Sequence, residues 1–130
     1  MTDFTKKQVG DFGEYFCEKY LKKTKKYKIL ARNKTIGHLE ADIIAYDKEF
    51  LIFVEVKTRR IDKNNLNRPS DAVDEGKRTN LIKFAYAFYK TLPEKLKNKT
   101  PRIDVCEVLV MADKKLKVCD FNYIENAVMR

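Results

Sequence analysis

The sequence predicts an α/β fold whose elements run in the order α-β-β-β-α-β-β. Three observations predict it. Apolar residues recur at helical spacing near the start of the chain. Two continuously apolar runs follow, Ile43-Ile44-Ala45 and Leu51-Ile52-Phe53-Val54, of the kind found in strands covered on both faces. A second helical stripe then precedes a further alternating segment. The 130 residues are enough for one domain spanning 1–130, and a hydrophobic content of 44% supplies a packed core.

The first helix is expected from about Lys6 to Lys23. Val9, Phe12, Phe16 and Tyr20 form its stripe, widened by Gly13, Cys17 and Leu21. Gly10 and Gly13 each cost roughly 1 kcal/mol against Ala inside a helix, so both are read as permitting close packing on a sheet. Glu14 projects from the edge of the stripe. Lys22, Lys23, Lys25, Lys26 and Lys28 make a basic run suited to the helix C-terminus. Tyr27 to Arg32 reads as a short strand. Glu40 to Tyr46 and Phe50 to Thr58 read as a hairpin turning at Asp47-Lys48-Glu49. Ile61 to Arg68, rich in Asn and Lys, reads as a mobile loop. Ser70 or Asp71 is placed to cap a second helix, marked by Leu81, Phe84, Ala85 and Phe88 and ended by Pro93. Lys95 to Pro101 reads as a basic loop. Ile103, Val105, Val108 and Val110 mark a strand, with Leu116 to Phe121 as its hairpin partner or an edge.

Composition narrows the partners. Lys and Arg number 28 against 19 Asp and Glu, a formal charge of +9. Such an excess favours polyanions, because neutralising phosphates releases condensed counterions. Cys17, Cys106 and Cys119 are odd in number and widely spaced, and His38 is the lone histidine. A zinc site is therefore not expected, a complete disulfide framework is impossible, and the three thiols read as reduced and mostly buried. The first residues lack the apolar stretch of a signal peptide, and no run reaches the roughly 20 apolar residues of a membrane span. A cytoplasmic location with no membrane partner is the expectation.

The chemistry concentrates in Glu40-Ala41-Asp42-Ile43-Ile44 and Phe53-Val54-Glu55-Val56-Lys57. Ionisable groups interrupt what is otherwise core strand, and buried carboxylates without partners are costly. If Lys48-Glu49 is a two-residue turn, Asp47 pairs with Phe50. Asp42 then lies directly opposite Glu55 and Glu40 opposite Lys57, all on one face. Opposed side chains have Cβ atoms about 5 Å apart, where two carboxylates repel unless a cation or a proton intervenes. Mg²⁺ fits, taking Asp42, Glu55 and the Val56 carbonyl while keeping several waters. The ion would activate water and polarise a phosphodiester, with Lys57 orienting that water or stabilising the developing charge. A plain Glu40–Lys57 ion pair is the simpler alternative.

Further motifs stand in a fixed order: Gly10-x-x-Gly13-Glu14, Ile29-Leu30-x-Arg32-Asn33, Glu40-x-Asp42-Ile43-Ile44, Phe53-Val54-Glu55-Val56-Lys57-Thr58-Arg59, Ala72-Val73-x-x-x-Lys77, Arg102-x-Asp104-Val105 and Asn126-Ala127. This set resembles the YraN-like family of bacterial proteins, which is similar to archaeal Holliday-junction resolvases and the PD-(D/E)XK nuclease superfamily. The resemblance covers nearly the whole chain. It implies a restriction-endonuclease-like core with a mixed central β-sheet flanked by helices. It implies catalytic roles for Asp42, Glu55 and Lys57, and metal ligation by Asp42 and Glu55, with Glu14 completing the acidic cluster from the first helix. Lys77 matches a position often found near the phosphate. Glu40, Arg59, Arg60, Lys77 and Arg78 are the expected nucleic-acid-contacting set. The expectation is an Mg²⁺- or Mn²⁺-dependent endonuclease acting on DNA, including branched DNA, and a homodimer by analogy with the resolvases. The alternatives are a non-catalytic nucleic-acid-binding module that keeps the nuclease fold, and a structural partner in DNA uptake or repair.

Overall fold

The computed structural model describes residues 4–61 and 75–127, with side chains of the second stretch described from residue 80 onward. The first element, α1, is Lys6–Lys23. Its start is fixed by Thr5 rather than by an acidic first turn. The Gln8 N–H donates to the Thr5 hydroxyl at 3.0 Å, and the Thr5 N–H donates to the Gln8 side-chain oxygen at 2.8 Å. This reciprocal box satisfies two of the donors that every helix start leaves open. Val9, Gly13, Cys17 and Leu21, each one turn apart, form the buried ridge.

Five strands follow in sheet order β1-β2-β3-β4-β5. They are β1 (Lys28–Ile36), β2 (Leu39–Tyr46), β3 (Phe50–Ile61), β4 (Thr100–Ala112) and β5 (Leu116–Ile124). Helix α2 (Glu75–Tyr89) and the short α3 (Glu94–Lys97) lie between β3 and β4. Neighbouring strands are antiparallel except β3 and β4, which run parallel from Phe50↔Thr100 to Ile61↔Met111. The sheet is therefore mixed, and the element order is the expected one with α3 added.

The apolar runs of β2 and β3 occupy the interior of this sheet and serve two cores. On one face Ile43, Ala45, Ile52, Val54, Cys106, Val108 and Val110 pack under Val9, Cys17 and Leu21 of α1. On the other, Ile44, Leu51, Phe53 and Ile103 pack under Leu81, Phe84 and Phe88 of α2. Phe53 meets both Phe84 and Phe88 edge-on, with ring centroids 6.0 and 5.9 Å apart.

The two glycines of α1 have different explanations. A Cβ on Gly13 would stand 2.1 Å from the Thr58 hydroxyl oxygen, so its absence lets α1 settle onto β3. A Cβ on Gly10 would meet no atom of the described residues within 4 Å, so the expected packing role does not hold there.

Other boundaries also differ from expectation. Strand β1 continues to Ile36, four residues past Arg32, through the exposed Asn33, Lys34 and Thr35. Helix α2 ends at Tyr89, and Pro93 is the N-cap of α3, which runs into the segment read as a basic loop. Ile61 is the buried last residue of β3, whereas the rest of the expected loop and the Ser70 or Asp71 cap lie outside the described residues. Cys119 is exposed, unlike Cys17 and Cys106. Among the described residues no helix is long and apolar enough to cross a membrane.

Candidate active site

A two-residue turn, held by one aspartate, sets the site. The Asp47 carboxylate accepts the Glu49 N–H at 2.9 Å and the Phe50 N–H at 2.7 Å, while the Asp47 N–H donates to the Phe50 carbonyl at 3.1 Å. That geometry fixes the register Tyr46↔Leu51, Ala45↔Ile52, Ile44↔Phe53 and Ile43↔Val54, as the turn length predicts. The pairing then stops, so the directly opposed positions expected for Asp42/Glu55 and Glu40/Lys57 lie beyond the ladder. β2 stays paired with β1 through Thr35↔Glu40 and Ile36↔Leu39, whereas β3 stays paired with β4 to Ile61. The β1–β2 hairpin thus leaves β3, and a fork opens in the sheet. Ala41 packs in the same core as Ile44, three residues on, so strict alternation lapses across Asp42. The single four-residue face expected for Glu40, Asp42, Glu55 and Lys57 does not follow from this geometry.

At the head of the fork, Asp42 Oδ2 accepts the Val56 N–H at 2.8 Å. In the observed register the backbone of Val56 would next bond to Ala41, and the Asp42 carboxylate takes that acceptor's place. The N–H and C=O of one strand residue point the same way, so the Val56 carbonyl also faces the fork. The Asp42 and Glu55 carboxyls are hydrogen-bonded to each other. Burial, then the neighbouring Glu55 charge, push the Asp42 carboxyl up to about 7, against the lowering effect of the Val56 N–H. The Asp42 carboxyl therefore keeps its proton well above the pH at which an exposed aspartate loses it.

Glu14 borders this pair from α1. Its charge reaches both Asp42 and Glu55. Burial raises its carboxyl above the ordinary range, a hydrogen bond from Asn33 opposes the shift, and Asp11, Glu40 and Glu55 add to it. Asn33 went unmarked in the sequence as a site residue. It has φ +47°, a conformation Asn tolerates better than most side chains, and the β1–β2 register sets it against Asp42. Its neighbour Arg32 pairs with Glu18 of α1. The motif Arg32-Asn33 therefore ties the fork to the helix that carries Glu14.

Among the described residues, no three His, Cys, Asp or Glu side chains gather tightly enough to hold an ion by themselves. The donor set that fits a hard cation is smaller: the Asp42 and Glu55 carboxyls and the Val56 carbonyl, with solvent completing the shell. Lys57 is half-buried next along β3. Lys57, Arg59 and Arg60 line a groove of about 510 Å³ with Lys6, Gly10 and Glu14. Arg60 also donates to the Phe4 carbonyl at 2.7 Å. Glu40 is exposed on β2. Lys77 and Arg78 belong to the first turn of α2, and their side chains lie outside the described residues.

The motifs Arg102-x-Asp104 and Asn126-Ala127 have a different task. Arg102 and Asp104 are both buried and paired through two hydrogen bonds of 2.9 and 2.8 Å. Arg102 also donates to the Tyr27 hydroxyl at 2.8 Å. Asp104 accepts the Tyr123 hydroxyl at 2.6 Å and the Asn126 N–H at 2.9 Å, and the Ala127 N–H donates to the Ile103 carbonyl at 2.8 Å. The pair anchors the last strand and the residues after it.

The model of "Uncharacterised protein family UPF0102" matches residues 13–108, which hold the α1 glutamate, the fork and most of β4. A UPF0102 protein of Caldanaerobacter subterraneus subsp. tengcongensis is 39% identical over 127 residues, covering 98% of this chain and 99% of the relative. UPF0102 proteins of Dictyoglomus thermophilum and Clostridium acetobutylicum are 37% and 39% identical, each over 121 residues and 93% of this chain, covering 97% and 93% of the relatives. The chain belongs to the UPF0102 family.

Proposed function

We propose that this chain hydrolyses phosphodiester bonds of DNA at the fork between β2 and β3, with Mg²⁺ or Mn²⁺ as cofactor. One observation carries the reading: carboxyls from two strands, Asp42 and Glu55, meet where the ladder opens, with Lys57 next along β3. Such a pair is costly at neutral pH unless it holds a proton or a cation. Asp42, Glu55 and the Val56 carbonyl would hold the ion, and Glu14 completes the acidic cluster from α1. When bound, the ion supplies Lewis acidity toward a phosphate oxygen and a more acidic water. Lys57 orients the attacking water or offsets the negative charge that develops on the phosphate. Arg59 and Arg60 at the strand end, with Lys77 and Arg78, hold the substrate backbone, and Glu40 flanks the same surface. The ordered motifs resemble the YraN-like family, which is similar to Holliday-junction resolvases, and this extends the proposal to branched DNA and a homodimer; a cytoplasmic location is part of the same proposal.

The test uses linear, single-stranded and four-way-junction DNA with Mg²⁺, Mn²⁺ or EDTA, comparing the protein with Asp42→Asn and Glu55→Gln. Cutting that needs the metal and disappears in both variants is the expected result. Salt-sensitive binding without cutting under every metal condition leaves only a nucleic-acid-binding module.

A further inference from the structure

Gly10 occupies a helical position that favours almost any other residue, and packing among the described residues gives no reason for it. It lies on α1 midway between Lys6 and Glu14, one turn from each, and all three line the groove of about 510 Å³ against β3. Across from them stand Lys57, Arg59 and Arg60. Glu14 marks the inner end, beside the fork. Lys6 and Arg59, both exposed, bring positive charge to the groove from either side. Over Gly10 the floor is bare helix backbone, and a Cβ there would touch nothing described within 4 Å. Space, a missing side chain and facing cations coincide in one place.

We propose that this groove seats the sugar-phosphate backbone of the substrate strand next to the reacting phosphate, with Gly10 leaving room for it and Lys6 and Arg59 neutralising it. The proposal rests on the nuclease reading for the direction of the strand, from the fork outward over Gly10. The four residues from Gly10 to Glu14 rise about 6 Å along the helix axis, so the seat lies immediately beside Glu14. Close approach of ligand to backbone is a recognised use of glycine. A phosphate contact of this kind positions the strand without reading its sequence.

The experiment reads stability and binding separately, with a fluorescent 20-nucleotide DNA in EDTA so that no chemistry intervenes. Gly10→Ala and Gly10→Gln should raise the Tm, because the helix gains a better former where nothing is in the way. Gly10→Gln should weaken binding about tenfold and Gly10→Ala less, while Lys6→Ala and Arg59→Ala should each lower the salt dependence by about one released ion. A more stable Gly10→Gln protein that binds DNA as tightly as the parent overturns the proposal. If Gly10→Gln fails to fold, unchanged affinity in both Lys6→Ala and Arg59→Ala overturns it equally. These losses in a protein that never cuts DNA would leave the groove standing and remove the enzyme. Cutting abolished by Asp42→Asn, with binding indifferent to residue 10, would do the reverse.

Discussion

Replacing Asp42 by Asn should stabilise the protein above neutral pH. An ordinary aspartate titrates near 3.8, and burial beside Glu55 moves Asp42 up to about 7. Between those values the folded chain holds a proton that the unfolded chain has released, so stability falls as pH rises across the interval. At about 1.4 kcal/mol per pH unit, the ionised carboxyl costs up to about 4 kcal/mol once pH exceeds 7. Asparagine removes that cost. Its oxygen still accepts the Val56 N–H, and its amide can donate to Glu55. Urea unfolding at about pH 4 and pH 8 measures the effect. Near pH 4 the two proteins should be alike, and near pH 8 the variant should be more stable by one to a few kcal/mol, of order the cost above. Mg²⁺ at pH 8 should raise the parent's stability and leave the variant's nearly unchanged. A variant less stable than the parent at pH 8 would refute the argument, because the ionised carboxylate would then be stabilising through Val56.

Further outcomes follow from other parts of the molecule. Gly13→Ala should cost about 1–3 kcal/mol by forcing α1 off Thr58, and Thr58→Ala in the same chain should restore most of it, as urea unfolding would show. Arg102→Leu leaves Asp104 buried without its cation and should cost about 3–5 kcal/mol, read from the shift in thermal midpoint. A thiol reagent should modify one cysteine quickly in the folded protein, the exposed Cys119, and all three in urea. Cys17 is protected twice, since its hydrogen bond with Cys106 and its burial both raise the thiol's pKa. Lys57→Ala should slow cutting by at least about 10²-fold while changing affinity far less, which single-turnover kinetics would separate.

The sequence revealed most where local chemistry and tertiary structure agree. Asp47 fixes a two-residue turn through its own carboxylate, so the hairpin register could be counted from the turn. Counting carried Asp42 and Glu55 to the same place but could not show where the ladder ends, because β1 and β4 draw β2 and β3 apart. The far half of β1 was missed since Asn33, Lys34 and Thr35 are exposed and show no alternation. Helix α3, four residues behind a proline, is too short for periodicity to register. Glu14 stood out only through resemblance, as its partner Asn33 belongs to a different element. Arg102 and Asp104 were visible as a motif, but Tyr27 lies 75 positions from Arg102 and Tyr123 lies 19 from Asp104. No local pattern connects such distant groups.

That buried ion pair ties completion of the fold to β5 and the residues just after it. A nascent polypeptide that has emerged only through β4 carries an arginine and an acid in a half-built interior, with the Tyr123 hydroxyl and the Asn126 amide still to arrive. Until they do, the acid lacks two of its four donor contacts. The central strands face a penalty for closing early that disappears when β5 and the turn after it add their hydrogen bonds. Closure of the sheet should therefore depend on β5 and the turn after it, and removing the Tyr123 hydroxyl and the Asn126 contact should weaken the sheet far more than two groups suggest.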